Sequence, residues 1–337
     1  MDRKKVESVI GALFDGIDIL AFHRGVGGTI VVVVGNGSGR SVMKVGDPSI
    51  LRNSILQEMQ RRDLLMPFLD GHLPNIISFN RVDGLEVMQT DYVGDWNLHQ
   101  IVTGGLSSDN TVETVFSAFL AAKRKLWLGT TEPFEPRRCL RDYAKRAEEL
   151  TERLVKLELS GRPVSSMLDL PVVVNGITYP SFAQLIDRIG RYEPPQFSCI
   201  SHGDANGDNV IVSLENEWFL IDWEWVGRHD WVESVSRICG WWQMMATSLA
   251  DQPLVKIDGG TISLSYQLEV SPLVRNLIGQ GMELGRQVAC DLQEDHYDQK
   301  LAYFLATYYL RDLKFQLLRG RSNFAIPAIG EAFKVLF

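Results

Sequence analysis

Residues 200–212 read Ile-Ser-His-Gly-Asp-Ala-Asn-Gly-Asp-Asn-Val-Ile-Val, a polar segment that leads into the apolar run of residues 210–212. It places Asn209 five positions after Asp204, and Asp222 follows thirteen residues after Asn209. Apolar, strand-forming residues come directly after Asn209 and directly before Asp222, so the segment predicts a β-hairpin. The two strands of that hairpin would bring Asn209 and Asp222 close together.

The residue types in this segment suit phosphoryl transfer. Transfer from ATP needs a carboxylate that accepts or orients the proton of the attacking hydroxyl, and oxygen ligands that hold Mg²⁺ against the phosphates. Asp204 can supply the carboxylate, and Asn209 and Asp222 can supply the ligands. A short motif of this kind also arises by chance, so its surroundings must support it.

The first ninety residues provide those surroundings. Residues 17–22, 29–34 and 41–45 are apolar or β-branched and predict three strands. The third run carries Lys44, and helical spacing then begins near residue 50 and places Glu58 on a helix. A glycine-rich turn separates the first two strands and contains Gly25, Gly27 and Gly28.

A lone lysine near a strand end is most often a solvated surface residue, but the position of Lys44 between a glycine turn and a helix with Glu58 favours a functional role. A second glycine-rich turn, residues 35–39, is different. It leads into a strand, so it predicts a hairpin turn instead of a dinucleotide fingerprint, and no Gly-Lys-Ser/Thr follows to make it a Walker loop.

The motifs HGDANGDN and LIDWE together resemble those of the aminoglycoside phosphotransferase and choline kinase-like family, which has the protein-kinase fold. The resemblance covers roughly residues 15–95 and 198–240. It implies an α+β fold with a small β-rich N-terminal lobe and a larger, mostly helical C-terminal lobe. The nucleotide-binding lobe is expected over residues 1–93, the hinge near residues 89–95, and the catalytic and acceptor-binding lobe over residues 94–337.

The resemblance also implies a role for each motif residue. Asp204 is the expected catalytic base, Asn209 and Asp222 are the expected Mg²⁺ ligands, and His202 is expected to brace the loop without taking part in chemistry. Eight residues are expected to bind ATP, and Glu58 is expected to do so indirectly by positioning Lys44. They are Lys44, Glu58, Gly25, Gly27, Gly28, Gln89, Thr90 and Tyr92.

At some positions the sequence differs from the motifs of protein kinases. The glycine turn lacks the G-x-G-x-x-G spacing, and Asp222 is followed by Trp223-Glu224 instead of Phe-Gly, which points toward small-molecule kinases. Glu224 could touch a metal through water or face the acceptor, and both alternatives stay open. Asp230 loosely matches an acidic residue that closes this region in the family, and it is a further acceptor-site candidate.

Outside the motifs, the chain is predicted to be mostly helical beyond residue 95. Helices are expected over residues 112–127, 139–159, 181–190 and 301–318, and the remainder after residue 272 is expected to be helical. Short strands are expected at residues 76–79 and 85–88, and Asn175-Gly176 predicts a type I′ hairpin turn within residues 171–180.

Six of the eight tryptophans lie between residues 218 and 242. Aromatic side chains at this density are most often core residues. The alternative is that some of them stack on a ring or a cationic group of the acceptor, and Trp225 is the first candidate.

Composition limits the other functional classes. The net charge of −8 argues against a nucleic-acid partner, and the scattered cysteines (Cys139, Cys199, Cys239 and Cys290) argue against a disulfide framework or a zinc site. Long apolar runs and a secretory signal are both missing from the sequence, so we expect a cytoplasmic protein with no membrane partner.

These features predict an enzyme that uses ATP and Mg²⁺ to phosphorylate a hydroxyl of a small molecule. The family resemblance favours an antibiotic acceptor of the aminoglycoside, macrolide or nucleoside type, as in a resistance enzyme. A metabolic kinase for choline or a sugar is the alternative within the enzyme class. A non-catalytic nucleotide-binding protein is a rival from another class, although Lys44, Asp204, Asn209 and Asp222 are all present.

Overall fold

A five-stranded antiparallel sheet forms the centre of the first part of the chain, in a computed structural model that describes residues 3–14, 16–24, 28–37, 39–51, 53–318 and 321–337. Gly25 and Gly27, two of the predicted nucleotide contacts, lie outside the described residues. The chain divides into two units. The first unit holds Met1–Gln100, His202–Asp204 and Asp208–Gly227, and the second unit holds the rest. The predicted lobe boundary after residue 93 stays a prediction.

The elements are as follows. The α-helices are α1 (Arg3–Leu13), α2 (Ile55–Arg62), α3 (Met66–Leu69), α4 (Leu98–Gly104), α5 (Asp109–Gly129), α6 (Tyr143–Lys156), α7 (Phe182–Gly190), α8 (Trp231–Met245), α9 (Pro272–Leu292), α10 (Tyr297–Leu318) and α11 (Ala325–Leu336). The strands are β1 (Asp18–Arg24), β2 (Ile30–Asn36), β3 (Gly39–Gly46), β4 (Ile76–Val82), β5 (Leu85–Asp91), β6 (Trp96–Asn97), β7 (Glu132–Pro133), β8 (Glu158–Leu159), β9 (Arg162–Pro163), β10 (Pro171–Val174), β11 (Ile177–Ser181), β12 (Phe197–Ser201), β13 (Val210–Val212), β14 (Trp218–Leu220), β15 (Gly227–Asp230), β16 (Ser248–Leu249), β17 (Leu254–Asp258), β18 (Thr261–Ser265) and β19 (Leu268–Glu269).

The main sheet of the first unit has the order β1-β2-β3-β5-β4. Its inward face carries alternating apolar side chains such as Val32, Met43 and Val87, all buried. Helix α1 covers this face with Val6, Val9 and Ile10, at the spacing of one helical stripe. The sequence prediction did not include α1, although this spacing was its signal.

Helix α2 begins later than the pattern from residue 50 predicted, because Ser54 is its N-cap. The Ser54 side chain accepts from the backbone N–H of Gln57, and the Gln57 side chain accepts from the backbone N–H of Ser54. This capping box satisfies two backbone donors that a helix start leaves open and fixes the first turn at Ile55. Glu58 therefore lies one turn into the helix.

The predicted hairpin around the central motif is present. Strands β13 and β14 are antiparallel with Val210 opposite Leu220, and β6 adds a third strand beside β13. At the entrance of the hairpin, the carbonyl of Asn209 accepts from the backbone N–H of Ile221 at 3.0 Å. The register thus fixes Asn209 next to the residue that precedes Asp222.

The second unit is mainly helical but also contains a four-stranded sheet of order β11-β10-β18-β17. The predicted turn at Asn175-Gly176 is present, with φ of 50° and 86°, as a type I′ turn requires. Strands β17 and β18 correct the prediction of a largely helical chain in this region. Strand β18 lies parallel to β10, a pairing across ninety residues of sequence that no local pattern indicates.

Five of the six clustered tryptophans are core residues. Trp218, Trp223, Trp231, Trp241 and Trp242 are each at most 3% exposed, whereas Trp225 is half-buried. The core prediction therefore holds for five of them. Within the described residues, no helix is both long and apolar enough to cross a membrane.

Candidate active site

Lys44 projects from the sheet on the side opposite the apolar core. Its neighbours Met43 and Val45 are completely buried, so the alternation of the strand turns Lys44 to the other face. The Lys44 side chain is 12% exposed, and its Nζ lies 2.6 Å from Asp222 Oδ1 and 2.7 Å from Glu58 Oε2. One ammonium group therefore bridges two carboxylates that lie 164 residues apart in sequence.

Glu58 also fixes the segment that follows Asp222. Its carboxylate is 4% exposed and accepts from the backbone N–H of Trp223 at 3.1 Å as well as from Lys44. Burial of a carboxylate is tolerated when charged and polar donors surround it. Helix α2, strand β3 and the end of the β13–β14 hairpin are joined through this one side chain.

Asp222 adopts a left-handed backbone conformation with φ of 62° and ψ of 68°. This conformation is uncommon for a residue with a side chain and concentrates at functional sites. It lets the chain turn sharply from β14 into the short 3-10 turn Trp223–Trp225. The turn aims the Asp222 carboxylate, which is 37% exposed, toward Lys44.

The charged groups of this cluster shift one another's pKa values. Burial alone would lower the pKa of Lys44, but the carboxylates of Glu58 and Asp222 outweigh burial and hold that pKa above its ordinary value. Burial would raise the pKa of Asp222, but Lys44 lowers it below the ordinary range. Burial, and then the charge of Asp222, raise the pKa of Glu224. The lysine thus keeps Asp222 ionised.

His202 ties the loop of the central motif to the hairpin. Its Nε2 lies 2.8 Å from the carbonyl oxygen of Ile221, and the backbone N–H of Asp204 points to its Nδ1 at 3.3 Å. The neutral tautomer with a proton on Nε2 satisfies both contacts. The geometry fits the brace that the sequence suggested for His202, which stays a prediction.

Asn209 turns its amide nitrogen toward Asp204. Its Nδ2 donates to the carbonyl oxygen of Asp204 at 2.8 Å and lies 3.4 Å from Asp204 Oδ2. Because the nitrogen is used within the loop, the Oδ1 atom of Asn209 is the atom left to face a ligand. The loop therefore orients one amide oxygen and one carboxylate at the mouth of the hairpin.

Two residues that the sequence interpretation missed hold the Glu224 segment. The guanidinium of Arg61 and the amide of Asn53, at 3.2 Å, both donate to the backbone carbonyl of Glu224. Arg61 lies three residues after Glu58 on the same helix face, and that spacing was the signal available. Glu224 and Trp225 are both half-buried, and their predicted acceptor contacts stay predictions.

The predicted hinge residues follow one another on β5 and just beyond it. Gln89 donates from Nε2 to Ser41 Oγ at 2.9 Å, and Thr90 is buried. Tyr92 donates to Asp95, and the guanidinium of Arg40 lies 4.2 Å from the Tyr92 ring centre. These contacts fix the exit of the strand.

Gly28 precedes β2 with φ of 90°, a backbone conformation that favours glycine. It is the described member of the predicted glycine turn. The nucleotide contacts assigned to this turn stay predictions.

Asp230 belongs to the second unit and caps helix α8. Its Oδ1 accepts from the backbone N–H of Val232 at 2.9 Å, and its Oδ2 accepts from the hydroxyl of Tyr192 at 3.2 Å. The residue is completely buried. Its observed contacts are those of a helix cap, and the predicted acceptor contact stays a prediction.

A model of the phosphotransferase enzyme family matches residues 18–260. Among curated protein sequences, none matched the chain.

Solved structures give a consistent result. The aminoglycoside phosphotransferase APH(4)-Ia aligns with a TM-score of 0.60 at 13% identity, covering 99% of this chain and 98% of that one. The choline kinase LicA from Streptococcus pneumoniae aligns with a TM-score of 0.52 at 12% identity, covering 99% of this chain and 98% of that one. A second structure of LicA contains AMP. At these identities the likeness establishes the fold, and the predicted α+β kinase-like fold class is confirmed.

Proposed function

The chain belongs to the phosphotransferase enzyme family, as its motifs indicated, and we propose that it transfers the γ-phosphoryl group of ATP to a hydroxyl of a small molecule. The observation that carries the proposal is the bridge from Lys44 to Glu58 and Asp222, at 2.7 Å and 2.6 Å. In ATP-dependent kinases a lysine held by a glutamate binds the phosphates, and an aspartate beside it holds the metal. The buried charges of the first unit have this arrangement.

ATP is the proposed phosphoryl donor. Lys44 would bind its phosphates, Glu58 would hold Lys44 in place, and Gly25, Gly27 and Gly28 would let the backbone approach the phosphates. Gln89, Thr90 and Tyr92 would line the adenine side in the hinge near residues 89–95. The structure of a choline kinase of similar fold in complex with AMP supports the binding of a nucleotide. With these roles, residues 1–93 form the nucleotide lobe and residues 94–337 the catalytic and acceptor lobe.

The donor set near the hairpin fits Mg²⁺. The ion prefers hard oxygen ligands and retains several waters, so one carboxylate and one amide oxygen suffice on the protein side. Asp222, kept ionised by Lys44, and Asn209, with its nitrogen turned to Asp204, would provide them. Mg²⁺ would neutralise the charge of the ATP phosphates. Within the described residues, there is no group of three or more His, Cys, Asp or Glu side chains that would form a metal site by itself.

Asp204 is the proposed catalytic base. Its carboxylate would accept or orient the proton of the acceptor hydroxyl as that oxygen attacks the γ-phosphorus. His202 would position the loop through the Ile221 carbonyl without touching substrate. Because both partners of the reaction are held by fixed groups, positioning and electrostatics supply the rate enhancement.

The proposed acceptor is an antibiotic of the aminoglycoside, macrolide or nucleoside type, with the protein acting as a resistance enzyme in the cytoplasm. Support comes from the similar fold of an aminoglycoside phosphotransferase. The similar fold of a choline kinase supports a metabolic alcohol as the alternative acceptor. Glu224, Trp225 and Asp230 are the proposed acceptor contacts.

The test is ADP release by the purified protein with ATP and Mg²⁺, across a panel of antibiotics and metabolic alcohols. We expect one compound to stimulate release. Asp204→Asn should then lower turnover about 10²–10⁴-fold, the usual cost of losing a general base, and leave the Kd for ATP unchanged. Asp208→Asn, four residues along the same loop, is the matched control and should stay near wild-type turnover.

Each other outcome rejects a defined part of the proposal. A protein that binds no ATP by calorimetry is not a kinase of this type. Binding of ATP without stimulation by any compound would favour nucleotide sensing over catalysis. Near-normal turnover of Asp204→Asn would remove the base assignment.

A further inference from the structure

A single buried carboxylate in the second unit holds three arginines. Glu233 on α8 accepts at Oε1 from Arg141 at 2.6 Å, from Arg146 at 2.9 Å and from Arg237 at 2.8 Å. Its other oxygen accepts from the hydroxyl of Tyr143 at 2.9 Å. Arg141 and Arg237 are each 5% exposed, so two of the three guanidinium groups are almost completely removed from water.

Arg311 on α10 adds a fourth guanidinium. Its Nε is buried and has no hydrogen-bond partner, and among the described side chains no carboxylate pairs with it. The guanidinium lies 5.5 Å from the ring centre of Tyr308, and that ring lies against Gly240 of α8. Burial, followed by the positive charges of Arg237, Arg146 and Arg141, holds the pKa of Arg311 well below its usual range.

Positive charge exceeds negative charge among the described side chains of this cluster. Asp230 is a second described carboxyl group near the cluster, and it is linked to Glu233 through Tyr143, whose hydroxyl accepts from the Asp230 backbone N–H. Burial, assisted by the charge of Glu233, raises the pKa of Asp230 to about 8, so it is mostly protonated at neutral pH. A guanidinium cannot relieve the imbalance by losing its proton at neutral pH.

The cluster is open to solvent at one edge. The Arg146 side chain is 32% exposed, and Arg311 and Tyr303 are half-buried, whereas Arg141 and Arg237 are not accessible. Guanidinium groups present paired N–H donors that match the oxygens of carboxylates and phosphates. A small anion that reached Arg146 and Arg311 would meet these donors and offset their charge.

We infer that Arg146 and Arg311, beside the Glu233 cluster, form a binding site for a small molecule that carries a phosphate or carboxylate group. The site is made by the second unit and does not depend on the proposed phosphotransferase activity. A purely structural role for Arg311 and a role in anion binding predict opposite effects of removing its side chain on the stability of the fold. Removal of an arginine that stabilises the fold lowers its stability, whereas removal of a buried guanidinium that has no carboxylate paired with it among the described side chains does not.

The experiment uses the full chain and follows Tm by thermal unfolding in a buffer of low anion content. Inorganic phosphate and citrate are the probes, and sodium chloride at matched ionic strength is the control. At about ten times its Kd, a bound anion should raise Tm by about 2–4 °C. Arg311→Met should have a Tm without added anion equal to or above that of the wild type, and it should lose at least half of the rise.

Arg286→Met is the matched control, because Arg286 is 62% exposed and pairs only loosely with Glu283 at 3.5 Å. It should keep the full rise. Should Arg311→Met fail to fold, Arg146→Gln decides the question through the same loss of the rise. The inference is overturned if chloride reproduces the effect, or if the deciding variant keeps it, which would assign anion binding to another part of the chain.

Discussion

The two units each contain a cluster of buried charge, and the clusters are opposite in sign. In the first unit one cation, Lys44, is shared by the carboxylates of Glu58 and Asp222, and Glu224 lies near them. In the second unit one carboxylate, Glu233, is shared by three guanidinium groups. The first arrangement has negative charge to spare, which suits Mg²⁺. The second has positive charge to spare, which suits an anion.

The two clusters also differ in how they can relieve an imbalance of charge when one charged partner is removed. A carboxylate that loses its cation can take up a proton and become neutral, and its pKa rises to permit this. A guanidinium keeps its charge at any ordinary pH. Removal of the shared central ion should therefore lower the free energy of unfolding more in the second unit than in the first. The loss in the second unit should also depend less on pH.

The largest effect is expected for Glu233→Gln. It leaves Arg141, Arg146 and Arg237 without their shared anion, and breaking a buried ion pair costs about 3–5 kcal/mol in the free energy of unfolding. Urea unfolding at pH 7 measures it. Glu331→Gln is the matched control, since Glu331 is a mostly buried carboxylate that pairs with one cation, Lys334, and it should lose less than half as much. Equal losses would contradict the special position of Glu233.

Lys44→Met should lower the free energy of unfolding by about 2 kcal/mol at pH 7, less than for a fully buried pair because one of its two partners, Asp222, is screened by water at 37% exposure. The pKa of Asp222 is lowered from its ordinary 3.8, so its stabilising pair with Lys44 is present above that pH and is lost as pH falls below it. The difference from wild type should thus shrink toward pH 3. A difference that stayed constant from pH 7 to pH 3 would show that the charge of Asp222 is not its source.

Asp230→Asn tests whether the Asp230 carboxyl group is protonated in the folded chain at neutral pH. The folded chain keeps a proton on Asp230 up to pH about 8, whereas the unfolded chain releases it near 3.8, so the native state binds more protons in between and wild-type stability falls as pH rises. The variant removes this trend and should gain about 1 kcal/mol on wild type per pH unit between pH 5 and 7. Parallel stability curves would mean that Asp230 is ionised in the fold.

The smallest effect is expected at an exposed pair. Arg191 lies 2.7 Å from Asp187 on α7, and their side chains are 73% and 57% exposed. A double-mutant cycle with Arg191→Ala and Asp187→Ala should give a coupling of about 0.5 kcal/mol or less, lowered further by salt. A coupling as large as the loss expected for Glu233→Gln would mean that burial does not decide how much a charged pair stabilises this protein.

Local patterns predicted the elements that carry the candidate active site. The β-branched run that contains Lys44, the helical spacing at Glu58 and the hairpin after Asn209 each depend on neighbours within a few residues, and the structure has all three. Helix boundaries were less accurate, because a cap decides them. Helix α6 begins at Tyr143 instead of residue 139, since Asp142 accepts from the backbone N–H of Lys145.

The parts that could not be predicted depend on contacts between distant segments. Strand β18 pairs with β10 across ninety residues, and the arginines around Glu233 come from α6, α8 and the segment before α6. Arg146 and Arg237 alone are ordinary residues of a helix, and Arg141 lies in the segment before α6, so only the packing of these distant segments brings the three together. Arg61 is intermediate, because its spacing from Glu58 was visible but its partner, the Glu224 carbonyl, was not.

The left-handed backbone of Asp222 limits which residues the chain can tolerate at this position. Most side chains cost about 1–2 kcal/mol in that conformation, whereas glycine, asparagine and aspartate accept it more readily. Of these three, only aspartate also carries the charge that pairs with Lys44. Among variants from saturation of this codon, glycine and asparagine should therefore be the most stable, and under the proposed function only aspartate would support full activity. Backbone geometry and charge together therefore leave no neutral substitution of Asp222.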